Sequence, residues 1–117
     1  MAINVETSAP KGLLGAIKKA IDEKHVQTWE YDKDGDFTHT ATQWNRKAWL
    51  RPSTENGALR LTIVPPQNST ISTEIYAIYH GRFVEMLLAH FDQSFSEVSV
   101  TAVATSGDIL KGSGVVG

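Results

Sequence analysis

Cysteine is absent from the chain. That excludes disulfides, thiol nucleophiles and thiolate-based zinc sites. Neither sign of charge dominates: the formal net charge is −2 and the pI about 6.0, so there is no general pull toward nucleic acid or anionic membrane. No apolar run is long enough to span a bilayer. The opening MAINVETSAP lacks the basic start and apolar block of a signal peptide, and the expected location is cytoplasmic. A Gly-x-Ser-x-Gly elbow, a phosphate-binding Gly-Lys-Ser/Thr loop and a dinucleotide glycine fingerprint are all missing. No cofactor is expected.

What is present suits one ordinary globular domain. The 117 residues can bury roughly two-thirds of their unfolded surface, enough for a core without covalent staples. Residues 1–104 are expected to form that domain. Residues 105–117 are glycine-rich and short of anchors, and are expected to be a mobile tail.

The longest stretch with a single period is residues 71–95. Tyr76, Tyr79, His80, Phe83, Val84, Leu87, Leu88 and Phe91 recur at steps of three and four, which places them on one side of a helix. Ile75, Ile78, Met86 and Ala89 widen the apolar surface, so the helix needs a sheet or a partner to lie on. Gly81 interrupts it and is expected to mark close packing against another element. A shorter amphipathic helix is expected near residues 11–24, with Leu13, Leu14, Ile17, Ala20 and Ile21 inward. Ser8 is the expected N-cap, and Pro10 lies in the first turn where its missing N–H is harmless.

Between the helices the pattern changes to period two. Trp29 and Tyr31, then Phe37, His39 and Ala41, alternate with polar residues. Parity settles the first turn: a three-residue loop ending in Gly35 pairs Tyr31 with Phe37 and Trp29 with His39, putting all four rings on one face. An Asn45-Arg46 turn would set Ala41 opposite Leu50. A type I′ turn at Asn56-Gly57 would set Leu50 opposite Ile63 and Pro52 opposite Leu61. The three turns agree on one inner face: Trp29, Tyr31, Phe37, His39, Ala41, Ala48, Leu50, Leu59, Leu61 and Ile63. Pro65-Pro66 ends the run. Residues 97–104 alternate again, with Val98, Val100 and Ala102 inward. The expected fold is α+β, an antiparallel meander of four to five strands covered by one long helix, in the order α-β-β-β-β-α-β. Ile3 and Val5 give only a short β-like fragment.

The run Asp32-Lys33-Asp34-Gly35-Asp36 suggests calcium at first sight. Its glycine is at the fourth position rather than the sixth, and Gln43 stands where the glutamate ligand belongs. The run is read as a hydrogen-bonded hairpin turn. His25, His39, His80 and His90 show no helical dyad spacing, and no metal site is assigned. His39 on the sheet and His80 on the long helix both face inward. With Tyr76 and Glu85 they are the candidate acid–base groups of a pocket between helix and sheet. The outward face by the same registers carries Trp44, Lys47, Trp49, Arg51 and Arg60, together with Thr40, Thr42, Thr62 and Val64. Aromatic residues beside arginine are the composition of interface hot spots.

Two functions follow. The first is a small non-catalytic binding or assembly module, homodimeric, using that aromatic and basic surface for a protein, a peptide or a small ligand. The second is a small enzyme or ligand-binding protein using the His39/His80 pocket. Nucleic acid is disfavoured as a partner by the acidic balance.

Overall fold

A computed structural model describes residues 1–105, 108 and 109. The elements are β1 (Ala2–Glu6), α1 (Pro10–Asp22), β2 (Trp29–Tyr31), β3 (Phe37–His39), β4 (Trp49–Glu55), β5 (Ala58–Val64), α2 (Thr73–Phe91) and β6 (Glu97–Val100). The class is α+β. All six strands join one antiparallel sheet in the order β2-β3-β4-β5-β1-β6. Among the described residues no helix is long and apolar enough to cross a membrane.

The meander is β2 to β5, and two of its three registers are those the turns require. Trp29 pairs with His39 and Tyr31 with Phe37; Leu50 pairs with Ile63 and Pro52 with Leu61. Gly35 takes the left-handed conformation at φ 85°, where a side chain would be strained. Two details of the expected meander are corrected. Asn56 keeps a negative φ while Gly57 turns to φ 81°, so the second hairpin is not type I′, which needs both positive. The β3–β4 connection is no tight turn: Phe37, not Ala41, lies opposite Leu50. The slip is of four residues, an even number, so the side chains that remain in β3 and β4 keep their expected faces.

The strand count is also corrected. The N-terminal fragment is a full strand, with Ile3 opposite Leu61 on β5 and opposite Val100 on β6. β6 lies at the far edge, beside β1. There Val98 is half-buried, Val100 is 47% exposed and Ala102 lies beyond the strand. Of the expected tail, Thr105 and Asp108 are bonded to β5: Arg60 donates to Thr105 Oγ1 at 2.7 Å, and Ile63 N–H donates to Asp108 Oδ1 at 2.9 Å. Residues 106, 107 and 110–117 lie outside the described residues.

One face of the sheet carries the core. Ile3, Val5, Leu59, Leu61, Ile63, Leu50, Phe37 and Trp29 are buried in a single cluster with Leu13 and Ile17 of α1 and Tyr79, Phe83, Met86 and Leu87 of α2. The cover is shared, not left to the long helix. The α1 backbone approaches β5, β4 and β2 most closely. α2 reaches the sheet through rings: Phe83 stands edge-on to Trp29 at 5.0 Å and tilted against Phe37 at 5.5 Å.

The helix ends show what satisfies them. Ser72 caps α2, its hydroxyl accepting from Ile75 N–H at 3.2 Å. α1 has Ala9 at its cap position and no side-chain cap; Ser8 is exposed, because Thr7 Oγ1 accepts from Ala9 N–H at 3.2 Å and fixes the entry instead. α2 is rotated slightly from the expected stripe, with Met86 buried and Leu88 53% exposed. Gly81 consequently marks no close packing: it is exposed, and a Cβ there would meet no atom of the described residues within 4 Å. Gly81→Ala is expected to stabilise the protein by about 1 kcal/mol through helix propensity alone, read as a rise of a few degrees in Tm.

Candidate functional site

The β2–β3 turn is held by one carboxylate. Asp32 Oδ1 accepts from the N–H groups of Asp34 and Asp36, both at 3.0 Å. This closes the hairpin as expected and aims Asp36 across the sheet at β4. There Arg51 Nη2 donates to Asp36 Oδ2 at 3.1 Å and Nε donates to the same oxygen at 3.3 Å. The Asp36 side chain is 7% exposed and that of Arg51 48%. The hydrogen bond to Asp36 holds the guanidinium above its already high ordinary pKa, more than offsetting partial burial; the charges of Asp36, Asp34 and Asp32 add to it.

Residues 40–48 do not continue the strands. Trp44 and Asn45 N–H groups both bond to the Ala41 carbonyl, at 2.9 and 2.8 Å, making one helical turn. Asn45 Nδ2 ties this loop to the His39 carbonyl at 2.8 Å and to Glu30 Oε1 at 3.1 Å. Arg46, in the left-handed region at φ 58°, donates its N–H to Thr38 Oγ1 at 3.0 Å. The Tyr79 hydroxyl donates to the Trp44 carbonyl. Trp44 is thereby packed against the core and is not on the outward sheet face, as the tight-turn register required. Thr40, Thr42 and Lys47 also leave that face, each exposed in the loop.

Trp49 alone of the two expected tryptophans stands on the outward side, half-buried. It lies at one side of a cleft of about 290 Å³ lined by Glu30, Tyr31, Asp32, Thr38, Arg46 and Trp49. Glu30 and Asp32 alternate with Trp29 and Tyr31, so the period-two pattern already points them outward; that was the available signal. Arg46 carried none, because its placement comes from the loop turn. Arg51 is adjacent but paired. Arg60 is engaged as well, donating to Asn4 Oδ1 at 3.1 Å besides Thr105.

The acid–base candidates are placed separately from this cleft. His39 is buried, edge-on to Trp29 at 5.1 Å, and its Nδ1 accepts from Ala41 N–H at 3.1 Å. His80 is buried against Tyr76, and its Nδ1–H donates to the Tyr76 carbonyl at 2.7 Å. Its Nε2 has no partner among the described residues. Glu85 is exposed at 69% of its side chain and pairs with Arg82 at 3.5 Å. Both ring Nδ1 atoms are thus occupied by local backbone groups.

Burial lowers the pKa of His39 below its ordinary value, the positive charge of Arg82 lowers it further, and Glu85 partly opposes them. The folded state therefore resists protonation at a pH where the unfolded chain accepts it. Stability is expected to be complete above pH about 6.5 and to fall as pH drops below it, through the folded-state pKa of His39. Protonating Nδ1 also sets an N–H against the Ala41 N–H. Urea midpoints across this range, for wild type and His39→Gln, check the sign: the variant should lose this part of the acid sensitivity.

Compared with known protein families, with curated proteins and with solved structures, the chain matches none.

Proposed function

We propose that the chain is a non-catalytic binding or assembly module whose contact surface is the outward face at the β2–β4 end of the sheet. One observation carries this: Trp49, a large apolar ring, stands outside the core cluster and on the opposite face of β4 from buried Leu50, in a cleft with charged walls. Such a ring at a cleft is the usual anchor of a contact surface. The histidines do not favour chemistry in the same way, since local backbone groups already hold both rings.

The partner this reading favours is a second copy of the chain. The patch carries both signs, with Glu30 on β2, Asp32 just after it, and Arg46 and Lys47 on the loop. An isologous contact brings a patch against itself in the reverse sense, so acidic and basic sides would meet. Size-exclusion chromatography with light scattering is the test. A mass that rises with concentration and returns to that of the monomer in Trp49→Ala supports self-association. A strict monomer at high micromolar concentration, unchanged by Trp49→Ala, removes it.

A further inference from the structure

We infer that the cleft between β2 and the 40–48 loop is a site for a small zwitterion of the α-amino-acid class. This shares the outward face with the reading above but does not depend on self-association.

The two walls of this cleft carry opposite charges that the fold does not pair with each other. On the β2 wall, Glu30 Oε1 accepts one bond from Asn45 and Asp32 Oδ1 accepts two from the turn. The second oxygen of each carboxylate takes no bond from the described residues. On the loop wall, Arg46 is fixed by its backbone N–H on Thr38, while its guanidinium has neither hydrogen bond nor ion pair among the described residues. Opposite charges thus line one cleft without meeting. The carboxylates are oriented by bonds made within the fold, so they need little ordering on binding.

A ligand with only a cation would satisfy β2 and be repelled by Arg46; one with only an anion would do the reverse. An ammonium and a carboxylate a few bonds apart answer both walls. Arg46 supplies the planar fork that suits a carboxylate. The Trp49 ring takes the ammonium on its face or the apolar side chain against it. Thr38 is buried and already bonded to Tyr79 and Arg46, so the floor asks for no further polar group. At about 290 Å³ the space lies at the small end for ligand sites. It fits a molecule of amino-acid size.

Two-dimensional ¹H–¹⁵N NMR titration of the full chain tests this with three probes of nearly one shape: L-leucine, isoamylamine (the cation alone) and isocaproate (the anion alone). L-leucine should shift the Trp49 indole, Glu30 and Arg46 signals, with each single-charge probe binding about tenfold more weakly. Glu30→Gln and Arg46→Gln, both at the protein surface and read for folding from the same spectra, should each weaken L-leucine by about the same factor. Isoamylamine binding as tightly as L-leucine overturns the zwitterion, as does an unmoved Trp49 indole up to the solubility limit of L-leucine. Light scattering on the same samples separates the two readings. Leucine binding by a strict monomer keeps this site and removes self-association; a dimer indifferent to L-leucine does the reverse.

Discussion

Phe83→Ala is expected to lower the unfolding free energy by about 3–5 kcal/mol, a large part of the stability of a domain this size. Phe83 is fully buried and is the ring through which α2 meets both Trp29 and Phe37. The α2 backbone is farther from the sheet than that of α1, and Tyr79 beside it is pinned through its hydroxyl to Trp44 and Thr38. The space left by the ring therefore cannot close by a simple helix shift, and the cavity term is added to the lost transfer energy. Leu88→Ala, on the same helix but 53% exposed, should change stability by no more than about 0.5 kcal/mol. Urea unfolding of the two variants makes the comparison. A loss near 1 kcal/mol for Phe83→Ala would mean that α2 does not seal the aromatic end of the core.

The Asp36–Arg51 pair should respond unequally to its two halves. Arg51→Met is expected to cost about 2 kcal/mol, because it leaves a buried carboxylate without its partner. Asp36→Asn should cost about 1 kcal/mol or less, because the freed guanidinium is half in water already. The double variant should be less destabilised than the sum, since neither partner is then left alone. Equal costs from the two single changes would show that the burial of Asp36 has no energetic consequence.

This pair also shows where the sequence pattern stops. Alternation and turn chemistry are local properties, and they specify much of the molecule. The Gly35 turn, the β2–β3 register, the β4–β5 register and the division of side chains between the two faces within those strands all follow from parity and from where a left-handed residue is tolerated. The β3–β4 register does not. Shifting it by four residues leaves every apolar side chain inward, so the hydrophobic pattern is equally satisfied by both alignments. In the expected alignment Thr40 would stand opposite Arg51. In the structure it is Asp36, which converts an expected free surface cation into half of a salt bridge. The same shift releases residues 40–48 into the loop that packs Trp44 against the core and lifts Arg46 to the cleft.

By itself, then, the sequence determined the α+β class, the two helices, the ring-lined face of the sheet and the outward position of Trp49, because each depends on the periodicity of neighbouring residues. Only the tertiary structure decided that Ala2–Glu6 is a central strand, that α1 shares the sheet with α2, that Gly81 faces solvent, and that Glu30, Asp32 and Arg46 line one cleft. Those outcomes rest on contacts between residues far apart in the chain. Ile3 finds Leu61 and Val100 through packing and backbone pairing, which no local repeat encodes.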